Sequence, residues 1–246
     1  MSRTPARRAD MSRRSSRRRL GQVVVAAVGA LFVAGAYLYL SLPDVRPLLR
    51  ENPSTTAFME LHAQATRRAG KKPRRIFTWT PLARISPNLR RAVLVAEDSA
   101  FWEHDGLDLV QMRASIEQNL EQGRLVRGAS TITQQLAKNL YLSPSRNPLR
   151  KVREILLARR LERELGKRRI LELYLNVVEW GDGLYGAEAA ARAYFGKSAS
   201  ALTEEEAALL AGSLINPKRY SPSAPPPRLR NRQKIILSRM HTVSAG

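Results

Sequence analysis

The 246-residue chain has room for one domain of about 200 residues and an appendage. It has no cysteine, which excludes disulfides, thiolate metal sites and a cysteine nucleophile, and its three histidines, His62, His104 and His241, lie too far apart to read as a metal site. A net charge of +21 favours a polyanionic partner or an anionic membrane surface and does not choose between them.

The charge is uneven. Residues 1–19 carry eight arginines against Asp10, a net +7 that leaves +14 of the +21 for the remainder, and they read as a basic cytoplasmic tail. Residues 20–42, LGQVVVAAVGALFVAGAYLYLSL, contain no charged side chain. As a helix this segment is about 34 Å long, enough to cross a bilayer core. Tyr37 and Tyr39 sit near one end, where an interfacial aromatic belt belongs. The length of the run, and the lack of a small-x-small site in YLYLSLPDV, favour a retained transmembrane anchor over a cleaved signal peptide. Arginines ahead of the span place the N-terminus in the cytoplasm, so residues 43–246 are expected outside it. That side of the membrane makes nucleic acid an improbable partner.

Downstream, the punctuation is helical. A short helix is expected over Thr56–Arg68, ending at Gly70, and an extended piece over Ile76–Leu82. Ser86-Pro87 reads as a cap and first-turn proline ahead of Leu89, Val93 and Ala96 on one face, as far as Glu97. Ser130 is the expected cap of TITQQLAKNLYL, with Ile132, Leu136 and Leu140 on one side. Asn147-Pro148 opens a helix to Gly166, Lys167–Arg169 leads into ILELYLNVVEW, and GDGLYG forms a turn before AEAAARAYFGK, which Gly196 terminates. Thr203 and Glu206 form a capping box for a helix stopped by Asn216-Pro217, and a last helix covers 227–241. No long window alternates as strands do, and no repeat is present, so the fold class is mainly α.

Three stretches carry candidate chemistry. EDSAFWEHDG, residues 97–106, clusters four acids in a basic chain where an apolar helix ends. The helix dipole disfavours a carboxylate there, so the acids are either a solvated helix end or a functional exception. Phe101 and Trp102 beside them point to a partly desolvated pocket, where burial raises a carboxylate's pKa towards that of a general base. In GASTITQQLAKN, residues 128–139, Thr131, Gln135 and Lys138 fall opposite the apolar stripe, as an ordinary wet face or a donor-rich wall with Lys138 aimed at phosphate. In SRNPLRKVRE, residues 145–154, Arg150 and Lys151 are spaced to pair with Glu154 as surface salt bridges, or to form with Arg146 an anion site that Glu154 orients.

Taken together, EDxxFxxHxGxD, GxSTxTQQxxKN, RKxxE and ILELYLN, in that order, resemble the peptidoglycan glycosyltransferases, the polymerases of bacterial wall synthesis. The resemblance runs from about Thr56 to Tyr220, and NVVEWGDGLYGAEAAARAYFGKSA is similar to the monofunctional branch. It implies a lysozyme-like helical domain behind the single anchor, in the cell inner membrane with the catalytic domain periplasmic.

It also implies site residues: Glu97 as catalytic base and Glu154 as a second catalytic carboxylate. Asp98, Phe101, His104, Ser130, Thr131, Gln134, Gln135, Lys138, Arg146, Arg150 and Lys151 match substrate-binding positions. A divalent cation, Mg²⁺ or Mn²⁺, is the candidate cofactor, with Glu154 as its candidate ligand. The implied partners are lipid II, the growing lipid-linked glycan and the membrane, with other wall synthases or division proteins as further candidates. The rival activity is a lytic, lysozyme-like enzyme that cuts strands with Glu97 as acid; a non-enzymatic basic protein that binds lipid or wall polymer is the second alternative.

Overall fold

The computed structural model describes residues 5–123, 130–143 and 147–246, with side chains from residue 21 onward except at Pro148. The chain divides into two compact units, Met1–Pro43 and Asp44–Gly246.

In the first unit, helix α1 runs without a break over Pro5–Leu40. Its Gly21–Leu40 stretch is the one helix among the described residues long and apolar enough to cross a membrane. Val23, Leu31, Phe32 and Tyr37 stand more than half exposed there, as a helix whose apolar surface is solvated by lipid requires.

The second unit is mainly helical. Helix α2 (Ala57–Arg68) is capped by Thr56, whose hydroxyl accepts from the Met59 N–H. Helix α3 (Pro87–Glu97) begins as expected, with the Ser86 hydroxyl accepting from Asn88 N–H and Pro87 in the first turn. It buries Leu89, Ala92, Val93 and Leu94. These face helices α9 (Glu204–Ser213) and α10 (Pro227–Arg239). The Thr203–Glu206 capping box opens α9. Its Ala207, Ala208, Ala211 and Gly212 permit a close approach; a Cβ on Gly212 would lie 2.9 Å from Leu229 of α10.

A second cluster centres on helix α7 (Lys167–Val177), where every residue from Ile170 to Val177 except Glu172 is buried. Helices α5 (Ile132–Tyr141) and α6 (Pro148–Leu165) pack with it and with each other, and α2 lies against α5. Asn176 ties α7 to the 76–82 segment: its side chain accepts from Thr80 N–H at 2.8 Å and donates to Thr80 O at 2.9 Å. Helix α8 (Ala187–Phe195) ends at Gly196, which adopts the left-handed backbone expected of a helix C-terminus.

The structure corrects the sequence expectations in four places. The cap of α5 is Thr131, one residue beyond Ser130: its hydroxyl accepts from Gln134 N–H while the Gln134 side chain accepts from Thr131 N–H. Helix α4 (Leu109–Glu121), capped by Asp108, has no counterpart among the expected elements, because Leu109, Val110, Ile116 and Leu120 are all exposed and mark no buried stripe. Helix α7 stops at Val177, and Glu179–Gly181 forms a strand (β2) in a small three-stranded sheet of order β1-β3-β2, with β1 at Ile76–Phe77 and β3 at Leu184–Tyr185. The pairs are two or three residues long, too short to show alternation. Lastly, the final helix ends at Arg239 and tightens into a 3₁₀ turn over Met240–Thr242.

Candidate active site

Glu97 is the last residue of α3, and the chain turns sharply after it: the Asp98 N–H still bonds to Leu94 O. Two devices hold this turn. The Asp98 carboxylate is buried and accepts the first N–H of α5, from Ile132, at 2.9 Å, placing a negative charge at a helix N-terminus. Its other oxygen faces His104 Nε2 at 2.9 Å. The Gly106 N–H donates to His104 Nδ1, so in the neutral ring Nε2 carries the proton and donates to Asp98. Gly106 has a positive φ of 85°, and its carbonyl accepts from the Thr131 hydroxyl at 2.7 Å. Phe101 is fully buried, edge-on to Trp102, with Lys167 Nζ 4.4 Å from its ring centroid.

Thus Asp98, Phe101, His104 and Thr131, expected to touch substrate, spend their polar and apolar surface on holding the 98–106 loop against α5. Of the four, only Asp98 reaches the wall of the main cleft. That cleft, about 690 Å³, lies between Glu97, Ser130, Gln135 and Lys138 on one side and Arg232, Ile235 and Arg239 of α10 on the other. A smaller cavity of about 140 Å³ adjoins it, lined by Gln134, Arg150, Lys151 and Glu154. Ser130, Gln135 and Lys138 line both, so the two form one continuous groove. Gln134 Nε2 is buried at this groove without a hydrogen-bond partner, although its oxygen is committed to the capping box. Arg146 lies outside the described residues.

The polar network around Glu97 is directional. Gln135 Nε2 donates to Glu97 Oε2 at 3.0 Å, and Gln135 Oε1 accepts from the Tyr174 hydroxyl at 3.0 Å. Arg232 Nη2 lies 3.4 Å from Glu97 Oε1. Burial pushes the Glu97 pKa above the ordinary carboxylate value; the Gln135 hydrogen bond and the charges of Arg232 and Lys138 pull it back, and Asp98 adds to the rise. Burial likewise holds the Tyr174 hydroxyl well above its usual range, so it stays a donor. Tyr174 and Arg232 were not among the sequence candidates. Tyr174 reads as one more apolar position of α7, and Arg232 sits 135 residues from its partner in a helix rich in arginine.

Glu154 is buried and paired twice, with Arg150 Nη1 at 3.0 Å and Lys151 Nζ at 2.5 Å. Both its oxygens therefore face cations. Among the described residues, the groups that could surround a metal ion are His62, Glu179 and Asp182, and Asp98, His104 and Asp108; Glu154 belongs to neither. A lone carboxylate between an arginine and a lysine does not fit a Mg²⁺ or Mn²⁺ site, which calls for several oxygen ligands. What the pairing does offer is a fixed bank of positive charge beside the groove.

Against known proteins, the family model described as Transglycosylase matches residues 63–241. A biosynthetic peptidoglycan transglycosylase of Nitrosospira multiformis is 46% identical over 193 residues, 78% of this chain and 84% of that protein. Its counterpart in Azoarcus sp. is 45% identical over 221 residues, 90% of this chain and 94% of that protein. A third, from Aromatoleum aromaticum, is 50% identical over 189 residues, 77% of this chain and 82% of that protein. With the matched region spanning the helices that carry Glu97, Gln135, Lys138, Glu154, Tyr174 and Arg232, the chain belongs to the transglycosylase family and is a glycosyltransferase.

Proposed function

We propose that the protein polymerises peptidoglycan glycan strands from lipid II, with Glu97 as general base and the Lys138–Arg150–Lys151 cations as the diphosphate site. The observation that carries this reading is that a desolvated carboxylate and the Lys138 ammonium face one cleft.

The reaction joins the 4-hydroxyl of one GlcNAc to C1 of the MurNAc that ends the lipid-linked strand. The hydroxyl oxygen forms the new bond to C1, its proton passes to Glu97, and the bond from C1 to the undecaprenyl diphosphate breaks. The electron pair leaves with the diphosphate oxygen. Attack from the face opposite the leaving group turns an α-linked donor into a β-1,4 link, as in the base half of an inverting glycosidase. A diphosphate needs no acid to leave if cations stabilise its developing charge, and Lys138, Arg150 and Lys151 supply that charge. Glu154 holds Arg150 and Lys151 in place. Burial makes Glu97 a stronger base than a solvated glutamate, while its neighbours keep the ionised form accessible.

Both substrates carry lipid tails, which fits a chain anchored by Gly21–Leu40 with its tail of arginines on the cytoplasmic side and its domain on the periplasmic side of the inner membrane. The exposed Leu109, Val110, Ile116 and Leu120 of α4 form an apolar surface suited to the bilayer. A lytic reading is not favoured: a cutting enzyme has no use for a cation bank beside its acid, and the matched relatives are named biosynthetic.

The test is the full-length protein in detergent with fluorescent lipid II, resolved by glycan length on a gel. Wild type should extend strands, and Glu97→Gln should not, with its fold retained by circular dichroism. Near-normal chain growth by Glu97→Gln would remove Glu97 as the base.

A further inference from the structure

Both oxygens of Glu97 are held by contacts that lead to residues outside the motif set, Tyr174 through Gln135 and Arg232 directly. On one side Oε2 takes a hydrogen bond from Gln135 Nε2, and the Tyr174 hydroxyl supports that orientation of the amide by donating to Gln135 Oε1. Tyr174 is fully buried in α7, so this arm is rooted in the core. On the other side Arg232 reaches across from α10. Its Nη2 donates to Ala96 O at 3.1 Å and lies 3.4 Å from Glu97 Oε1, while its Nε is buried without a hydrogen-bond partner.

The Ala96 carbonyl belongs to the last turn of α3, whose unpaired carbonyls make that helix end negative. Arg232 therefore answers two charges with one guanidinium, the helix terminus and the carboxylate that the terminus disfavours. At 3.4 Å the contact to Oε1 is loose, about half an ångström beyond a good charge-assisted hydrogen bond, and leaves that oxygen of a cleft-lining carboxylate with spare acceptor capacity. Oε2 is engaged more closely, at 3.0 Å.

We propose that Arg232 and Tyr174 are positioning residues for the reaction: Tyr174, through Gln135, fixes the plane of the Glu97 carboxylate, and Arg232 keeps Oε1 ionised and turned to the incoming hydroxyl. Oε1 is then the atom that receives the proton. The inference rests on Glu97 being the base. The groups that act on Glu97 are Arg232 of α10, Lys138 and Gln135 of α5 with Tyr174 of α7 behind Gln135, and the neighbouring Asp98, while Arg239 of α10 lines the same cleft, so a change at Arg232 removes one of two acting cations and leaves Lys138 in place.

A plain structural role predicts something different. A residue that merely capped α3 would lower the melting temperature on removal and leave the catalytic pH profile where it was.

The experiment uses full-length protein and lipid II, with kcat, KM and the pH dependence of kcat/KM measured for wild type, Glu97→Gln, Arg232→Met, Arg232→Lys, Tyr174→Phe and Lys234→Met. The last is an exposed control on the same helix. Tyr174→Phe, which removes one oxygen and keeps the packing, should lower kcat about tenfold with KM little changed. Arg232→Met should move the acid limb of kcat/KM about one pH unit upward, since losing a cation makes the carboxylate easier to protonate. Arg232→Lys should bring the limb back towards wild type, and Lys234→Met should leave it in place. Should Arg232→Met fail to fold, Arg232→Gln carries the same expected shift. An unmoved limb in the charge-removing variants, or a Tyr174→Phe loss confined to KM, overturns the clamp while wild type polymerises and Glu97→Gln does not. Polymerisation by Glu97→Gln would instead overturn the base assignment itself.

Discussion

Glu97 carries a conflict that its neighbours only partly relieve. Burial raises its pKa, so within the folded protein it holds a proton to a higher pH than an unfolded glutamate, which titrates near 4.3. The sign of the consequence follows from linkage. Between those two values the folded chain binds more protons than the unfolded one, so this group's contribution to stability declines as pH rises through the window. At neutral pH the ionised side chain is a cost, and the Glu97→Gln variant should match or exceed the wild-type melting temperature while losing activity. A calorimetric scan of both at pH 7.5 checks this; a markedly lower value for the variant would mean that the carboxylate stabilises the fold. For catalysis the sign is opposite in effect: kcat/KM should fall on acidification at a pH above that of a free glutamate, because only the ionised form accepts a proton.

At the scale of elements, the site depends on a loop that behaves as core. Phe101→Ala should cost about 3–5 kcal/mol by urea denaturation, since the ring is fully buried between Trp102 and Lys167 and its loss leaves a cavity. A cost below 1 kcal/mol would show that the 98–106 loop is not anchored there. This is also where sequence reading reached its limit. Helices α2, α3, α6 and α8 were legible because caps, prolines, terminal glycines and apolar spacing all agreed on them. The cap of α5 slipped by one residue because Ser130 and Thr131 are both good caps, and only Gln134, three residues after Thr131, distinguishes them. Helix α4 was silent because its apolar residues face outward. In the site, adjacency in a motif carried no information on which way a side chain points. Glu97 faces the cleft, whereas Asp98 turns into the α5 N-terminus and Phe101 into the core. Tyr174 and Arg232 depend on tertiary contacts that no local spacing encodes.

Over the whole molecule, charge and apolar surface divide the labour. The net charge of +21 favours an anionic partner, and on the proposed function the outward-facing residues of α4 supply apolar area to meet the bilayer. Replacing Ile116 and Leu120 together with lysine should raise KM for lipid II in vesicles at least tenfold, since tenfold needs only about 1.4 kcal/mol and fully burying one large apolar side chain is worth about 1.5–3 kcal/mol. The melting temperature should stay put, because both side chains are more than half exposed. A fall in melting temperature with KM unchanged would assign α4 to folding rather than to the membrane.

The hydrogen bond from Ile132 N–H to the Asp98 carboxylate, with that from Gln135 to Glu97, stitches the helix that ends at Glu97 to the helix that carries Lys138, and no hinge residue separates Glu97 from the Asp98 stitch. With Glu97 as the proposed proton acceptor and Lys138 in the proposed diphosphate site, these ties oppose any separation of the two by partial loosening. Warming should then leave strand synthesis intact until the domain itself melts, with both transitions at the same temperature, and a catalyst that failed well before it unfolded would show that the stitch gives way on its own.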